Sequence, residues 1–212
     1  MNDYSFREKH NISVSQGRTK KDIDILYKCF PNAFYIVPYL VDSNDFGVDY
    51  IVAMKDKTVK YVDAKHREAG VSRYWETRVS NGNTVKVPEL TLEIMSVREK
   101  GIKGWLLDET KLSDYILFTY DESDSAKSYL FERDPLRETF KRNLNHWIDT
   151  YGEKCCTSNG GAYTTTSVYV PVPEVIREYD KTIHESIIIQ ESTVEVYKPI
   201  TSSEAQMSIF SA

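Results

Sequence analysis

Residues 46–66 read FGVDYIVAMKDKTVKYVDAKH, two apolar, β-branched runs joined by the polar DKT. The runs 46–55 and 58–66 predict adjacent strands connected by a short turn. The second ends in Asp63-Ala64-Lys65, and side chains two apart on a strand share a face, so Asp63 and Lys65 project together. Asp49, on the first run, can converge with them at one edge of the sheet. Charge is costly on a buried strand and calls for a use. Two neighbouring carboxylates repel unless a cation lies between them, and hard divalent ions such as Mg²⁺ favour that oxygen set. A lysine beside them can orient a water or stabilise charge developing on a phosphate under attack. The alternative for such a pair is a solvated surface salt bridge of little energetic value.

Outward from this stretch, KKDIDILYKCF (20–30) predicts a short amphipathic helix and AFYIVPYLV (33–41) a strand, giving a helix followed by a three-strand meander. Residues 67–88 are polar with an NGN turn and predict a loop or a small hairpin. ELTLEIMSVREKGIKGWLLD (89–108) is open between a helix and an irregular segment ending near Gly101. Strands are expected at 113–121 and, less clearly, at 127–134. The best helix is 134–152, with Asp134 as N-cap, Pro135 at the first helical position, and Leu136, Phe140, Leu144, Trp147 and Ile148 on one face. A strand and a short helix started by Pro173 follow, then β character in SIIIQESTVEVYKPI. There is no internal repeat.

The 212 residues suit one domain over 1–200, with a core at about 20–120, an elaboration over 121–200 and a flexible tail over 201–212. Hydrophobic content of 41% and aromatic content of 12% support a real core, and fifteen Tyr point to broad contact surfaces or stacking platforms. The N-terminus MNDYSFREKH lacks a signal-peptide core, and no apolar run approaches the roughly 20 residues that cross a bilayer. Three cysteines, two adjacent (Cys155, Cys156), make neither a disulfide framework nor a zinc set. A cytoplasmic protein without membrane contact is expected. Net charge of −5 argues against general DNA coating. Residues 1–120 hold 18 basic against 17 acidic side chains and the rest 9 against 15, so nucleic acid would meet the N-terminal part.

Asp49 on one strand and Asp63-Ala64-Lys65 on the next, after a helix and an earlier strand, resemble the PD-(D/E)XK nuclease superfamily. The resemblance covers about residues 20–120, and the motif is short. It implies an α/β, restriction-endonuclease-like core: a mixed central sheet flanked by helices, in the order helix, three strands, helix, strand. It further implies a Mg²⁺-dependent DNA endonuclease (Mn²⁺ substituting), resolvase-like, acting in phage or bacterial replication, recombination or repair. Metal would lie at Asp49, Asp63 and Ala64, with Lys65 positioning the attacking water, Glu93 assisting, and a 5′-phosphate left behind. Dimerisation would follow from cutting two strands. The family's proline before the first Asp is replaced by Val48. Asp22 or Asp24 could supply the acidic residue that members often add from the first helix. Lys65, His66, Arg67, Arg98, Lys100 and Lys103 are candidates to hold a DNA backbone, or form a solvated surface. The hard-oxygen set speaks against His66 as a metal ligand. Trp75 and Trp105 either stack on bases or anchor core and loops. The alternative function is a catalytically inactive nuclease-like binding protein or a phage-encoded inhibitor of a host DNA-processing protein.

Gln206-Met207-Ser208-Ile209-Phe210 is similar to the pentapeptide by which bacterial polymerases and repair proteins dock on the sliding clamp. Two apolar side chains enter a pocket while Gln hydrogen-bonds at its rim. The alternative is an element end packing Ile209 and Phe210 into the core.

Overall fold

The computed structural model describes residues 18–39, 46–68, 75–80, 83–121, 126–158, 162–182 and 187–190. Helix α1 (Arg18–Cys29) leads into strands β1 (Ala33–Pro38), β2 (Tyr50–Met54) and β3 (Val59–Glu68), an antiparallel meander as the sequence predicts. Strand β3 then pairs in parallel with β7 (Tyr115–Asp121), which pairs antiparallel with β8 (Ala126–Glu132) and, through it, with β11 (Ile187–Gln190). The result is one mixed sheet in the order β1-β2-β3-β7-β8-β11. The architecture is α/β, with a mixed central sheet.

Parallel neighbours need a long crossover. Here that connection is made of strands rather than the expected helix. Strands β4 (Trp75–Ser80) and β5 (Asn83–Val97) form a hairpin, a 3₁₀ turn follows at Arg98–Lys100, and β6 (Ile102–Lys103) pairs back on β5. A second sheet in the order β4-β5-β10-β9 is completed by β9 (Glu153–Ser158) and β10 (Tyr163–Pro171). The helical option for 89–108 is therefore overturned. Glu89-Leu90-Thr91-Leu92-Glu93-Ile94 alternates with period two, and Leu90, Leu92 and Ile94 go to the core.

Helix α2 spans Arg133–Tyr151 and buries Leu136, Phe140 and Trp147, as expected. It begins two residues earlier than Asp134 as N-cap would require. Glu132 is the flanking residue and makes no side-chain cap bond, while Asp134 sits inside the first turn beside the helix's positive end. Helix α3 (Val172–Asp180) starts with Pro173 in its first turn. Among the described residues no helix is long and apolar enough to cross a membrane.

Two cores lie on opposite faces of the six-stranded sheet. Ile36, Val52, Val62, Leu117 and Leu130 pack with Ile25, Leu26 and Phe30 from the α1 segment. On the other face Ile116, Phe118, Tyr120 and Phe131 pack against β5, β10, α2 and α3. That second cover reaches β7 and β8. The residues Asp63 and Lys65 sit where it meets β3.

Candidate active site

Strand β3 has ten residues and β2 only five, so β3 runs on past its partner. The last ladder pair is Tyr50 with Val62, where Asp49 N–H also donates to the Val62 carbonyl (2.8 Å). Beyond it the Ala64 N–H would lack a strand partner on that side, and Asp49 Oδ2 accepts it at 2.7 Å. The Asp49 side chain thus substitutes for a missing ladder rung. This places its carboxylate beside Asp63, which is 4% exposed.

Burial first, and the neighbouring Asp63 charge second, push the Asp49 carboxyl up to about 7, although Lys65 and the Ala64 N–H pull the other way. Lys65 Nζ donates to Asp63 Oδ1 at 2.7 Å. Burial works against its ammonium charge, but Asp63, Asp49 and Glu93 outweigh burial and hold Lys65 above the ordinary lysine range. Glu93 on β5 therefore belongs to the same electrostatic neighbourhood; Ser96 Oγ donates to its Oε2 at 2.8 Å.

Trp105 completes the arrangement. The Lys65 ammonium lies 5.4 Å from the Trp105 ring centroid, within cation–π range. Gly104 sets that ring: its N–H donates to the Ile94 carbonyl, and a Cβ there would lie 1.9 Å from the Glu93 carbonyl oxygen. Only glycine lets the turn press this close to β5. Trp105 is 9% exposed, so of the two expectations for it the anchoring one holds. The side chain of Trp75 lies outside the described residues.

The structure separates the other candidates. Asp22 is 2% exposed on the opposite face of the sheet, where its Oδ2 accepts from Tyr50 Oη (2.8 Å) and contacts His66 Nε2 (2.8 Å). Burial and Asp22 raise the Tyr50 phenol above its ordinary value. Asp24 is exposed. Neither joins Asp49 and Asp63. His66 is likewise turned toward α1, away from Lys65, because adjacent strand residues alternate faces. Arg67, two residues beyond Lys65, shares the Asp63 face of β3; it is partly buried and donates to the His66 carbonyl (3.0 Å). Arg98 and Lys100 are exposed on the turn beyond β5, and Lys103 is exposed on β6, one residue from Gly104. Gln206, Met207, Ser208, Ile209 and Phe210 lie outside the described residues.

Arg133 was not singled out by sequence, where it only precedes a helix. It is 4% exposed, its guanidinium donates to the Asp108 carbonyl, and it feels the charge of Asp63. Beside it a cleft of about 440 Å³ is lined by Lys60, Lys111, Ser113, Asp114, Glu132 and Arg133, among others. Asp49, Asp63 and Lys65 do not line it, and its basic and acidic groups balance.

The donor chemistry fits a hard divalent cation. Two carboxylates share a site in which one is driven toward protonation by burial and by the other, and a cation between them would relieve both effects. Among the described residues no group of three or more His, Cys, Asp and Glu forms an all-protein cage. Mg²⁺ commonly takes one or two carboxylates and fills its octahedron with water and phosphate oxygens.

None of the protein-family models, curated proteins and solved structures compared with the chain matches it.

Proposed function

We propose that the chain is a metal-dependent DNA endonuclease with a restriction-endonuclease-like core. The observation that carries this reading is the convergence of Asp49, Asp63 and Lys65 at the point where β3 outruns β2. The initial helix, the three-strand meander and a parallel fourth strand beside the third also support it. The crossover made of strands departs from the family pattern.

Asp49 and Asp63, with the backbone of Ala64, would hold Mg²⁺ or Mn²⁺. When bound, the ion supplies a Lewis acid and a water of lowered pKa. Lys65 lies 2.7 Å from Asp63, so its ammonium is positioned to orient a nucleophilic water or meet charge growing on a phosphate oxygen. Trp105 limits where that ammonium can go. Glu93 helps keep Lys65 protonated. Arg98, Lys100 and Lys103 supply positive charge along the adjoining rim for the phosphate backbone. In the cell, the reading is phage or bacterial replication, recombination or repair, with the Gln206–Phe210 segment docking on a sliding clamp.

A second reading has one observation in its favour. Asp63 and Lys65 satisfy each other, and Asp49 satisfies Ala64, so the constellation also closes as a structural network in a binding protein without chemistry. Incubating the protein with labelled linear, flapped and four-way DNA, in Mg²⁺, Mn²⁺ or EDTA, separates the two. Cutting that requires the metal supports the enzyme; binding without cutting on every substrate supports the second reading.

A further inference from the structure

Among the described residues, the sheet face that carries Asp63 continues across β3, β2 and β1 with partly or largely exposed side chains. Alternation puts Ile36, Val52 and Val62 under α1, so Tyr35, Val37, Ile51, Ala53, Val59 and Tyr61 face the other way. The register aligns Tyr61 with Ile51 and Val37, and Val59 with Ala53 and Tyr35. Tyr35 is 57% exposed, Val59 45% and Tyr61 36%. Among the described residues of this sheet, the aromatic core on this side draws on β7 and β8. Tyr61 precedes Asp63 by two residues, about 7 Å along the strand. The same face then runs toward the β2–β3 turn, where Lys55 and Lys57 are exposed, about 20 Å from Asp63. The Asp56 carboxylate between them is taken up within the turn by the Thr58 N–H and hydroxyl.

We propose that this face is a stacking platform for unpaired bases, so that the site acts on single-stranded DNA or on the unpaired arm of a branched one. The proposal rests on the nuclease reading of Asp49, Asp63 and Lys65. Its logic is geometric. A scissile phosphate held at Asp63 puts the neighbouring nucleotides over Tyr61 and Tyr35 and the following phosphates near Lys55 and Lys57. Base faces are available to an aromatic ring only when the strand is unpaired, because in a duplex they are stacked on one another. Continuity with the carboxylate site and the flanking lysines favours nucleic acid over a second copy of the chain. The β2–β3 turn at its end bears two exposed lysines against one internally bonded aspartate.

The test uses the full chain in EDTA, where nothing is cut. Fluorescence anisotropy of a labelled twelve-residue oligo-dT and of a blunt duplex of equal length is measured with wild type, Tyr35→Ala, Tyr61→Ala and Tyr61→Phe. The expected result is tighter binding of oligo-dT than of duplex, weakened about fivefold or more by each alanine and kept by phenylalanine. Both tyrosines are exposed, so circular dichroism should match wild type in each variant. Equal binding by the alanine variants, preference for duplex, or no oligo-dT binding overturns the platform. So does a dimer, seen by light scattering, that the alanine variants dissolve without changing oligo-dT affinity; the face would then join two copies. Adding Mg²⁺ separates this failure from failure of the nuclease reading. Duplex cutting untouched by the tyrosine changes sinks only the platform. Tyrosine-dependent oligo-dT binding with no cutting of any DNA leaves the platform and sinks the nuclease.

Discussion

Replacing Asp49 by Asn should stabilise the metal-free protein at pH 8 while destroying the proposed metal site. The Asp49 carboxyl rises from an ordinary 3.8 to about 7, chiefly through burial and the Asp63 charge. At about 1.36 kcal/mol per pK unit, forcing it to ionise in the folded state costs at most about 4 kcal/mol. Asp63 and Lys65 readjust when the charge disappears, so about 2 kcal/mol is expected for the variant. Asn keeps a side-chain oxygen to accept the Ala64 N–H, so the missing rung remains filled. The pH dependence follows from linkage. Between roughly pH 4 and 7 the folded state holds a proton that the unfolded state has released, so wild-type stability falls as pH rises through that window. Below it the two proteins should be nearly equal; above it the Asn protein should be the more stable. Urea denaturation at pH 3.5 and pH 8 in EDTA reads the difference directly. A variant less stable than wild type at pH 8, or one with the same increment at both pH values, would refute the electrostatic reasoning.

Three further outcomes are expected. In the proposed site the metal would need the ionised Asp49, so calorimetry should find Mg²⁺ about tenfold weaker at pH 6 than at pH 8, the ratio of ionised fractions for a group titrating near 7; a pH-independent affinity would place the ion elsewhere. Gly104→Ala drives a methyl to 1.9 Å from the Glu93 carbonyl oxygen, both partners being backbone, and should cost about 3 kcal/mol in thermal or urea unfolding. A neutral effect would mean the turn does not bear on β5. A peptide covering residues 201–212 should bind a bacterial sliding clamp, and Phe210→Ala should weaken it roughly thirtyfold, as for an aromatic anchor worth ~2 kcal/mol; equal affinities would remove the pentapeptide from the account.

The parts legible in the sequence were those governed by local periodicity. The meander from Ala33 to Glu68 and helix α2 come from apolar residues repeating at two or at three-to-four positions, which the core then selects. The pairing of Asp63 with Lys65 needed only strand alternation. What escaped was set by residues far apart in the chain. Asp22 looked available because its helix precedes the meander, yet the helix packs on the far face, where Tyr50 and His66 claim the carboxylate. Trp105 reaches Lys65 only because Gly104 lets its turn touch β5, forty residues from the motif in sequence. Arg133 comes within electrostatic reach of Asp63 through the β3–β7 pairing and the start of α2, which no local pattern announces. The strand at 89–97 was different: its alternation was on the page, obscured by helix-forming Glu, Leu and Met.

The most direct test of the central claim is single-turnover cleavage of labelled DNA by wild type, Asp63→Ala and Lys65→Met, each verified as folded, in Mg²⁺ and in EDTA. The account predicts cutting by wild type in Mg²⁺ alone, with a loss of at least about a hundredfold in each variant, the scale for removing one charge-stabilising group. Undiminished cutting by Asp63→Ala would contradict it by placing the chemistry away from the β2–β3 edge.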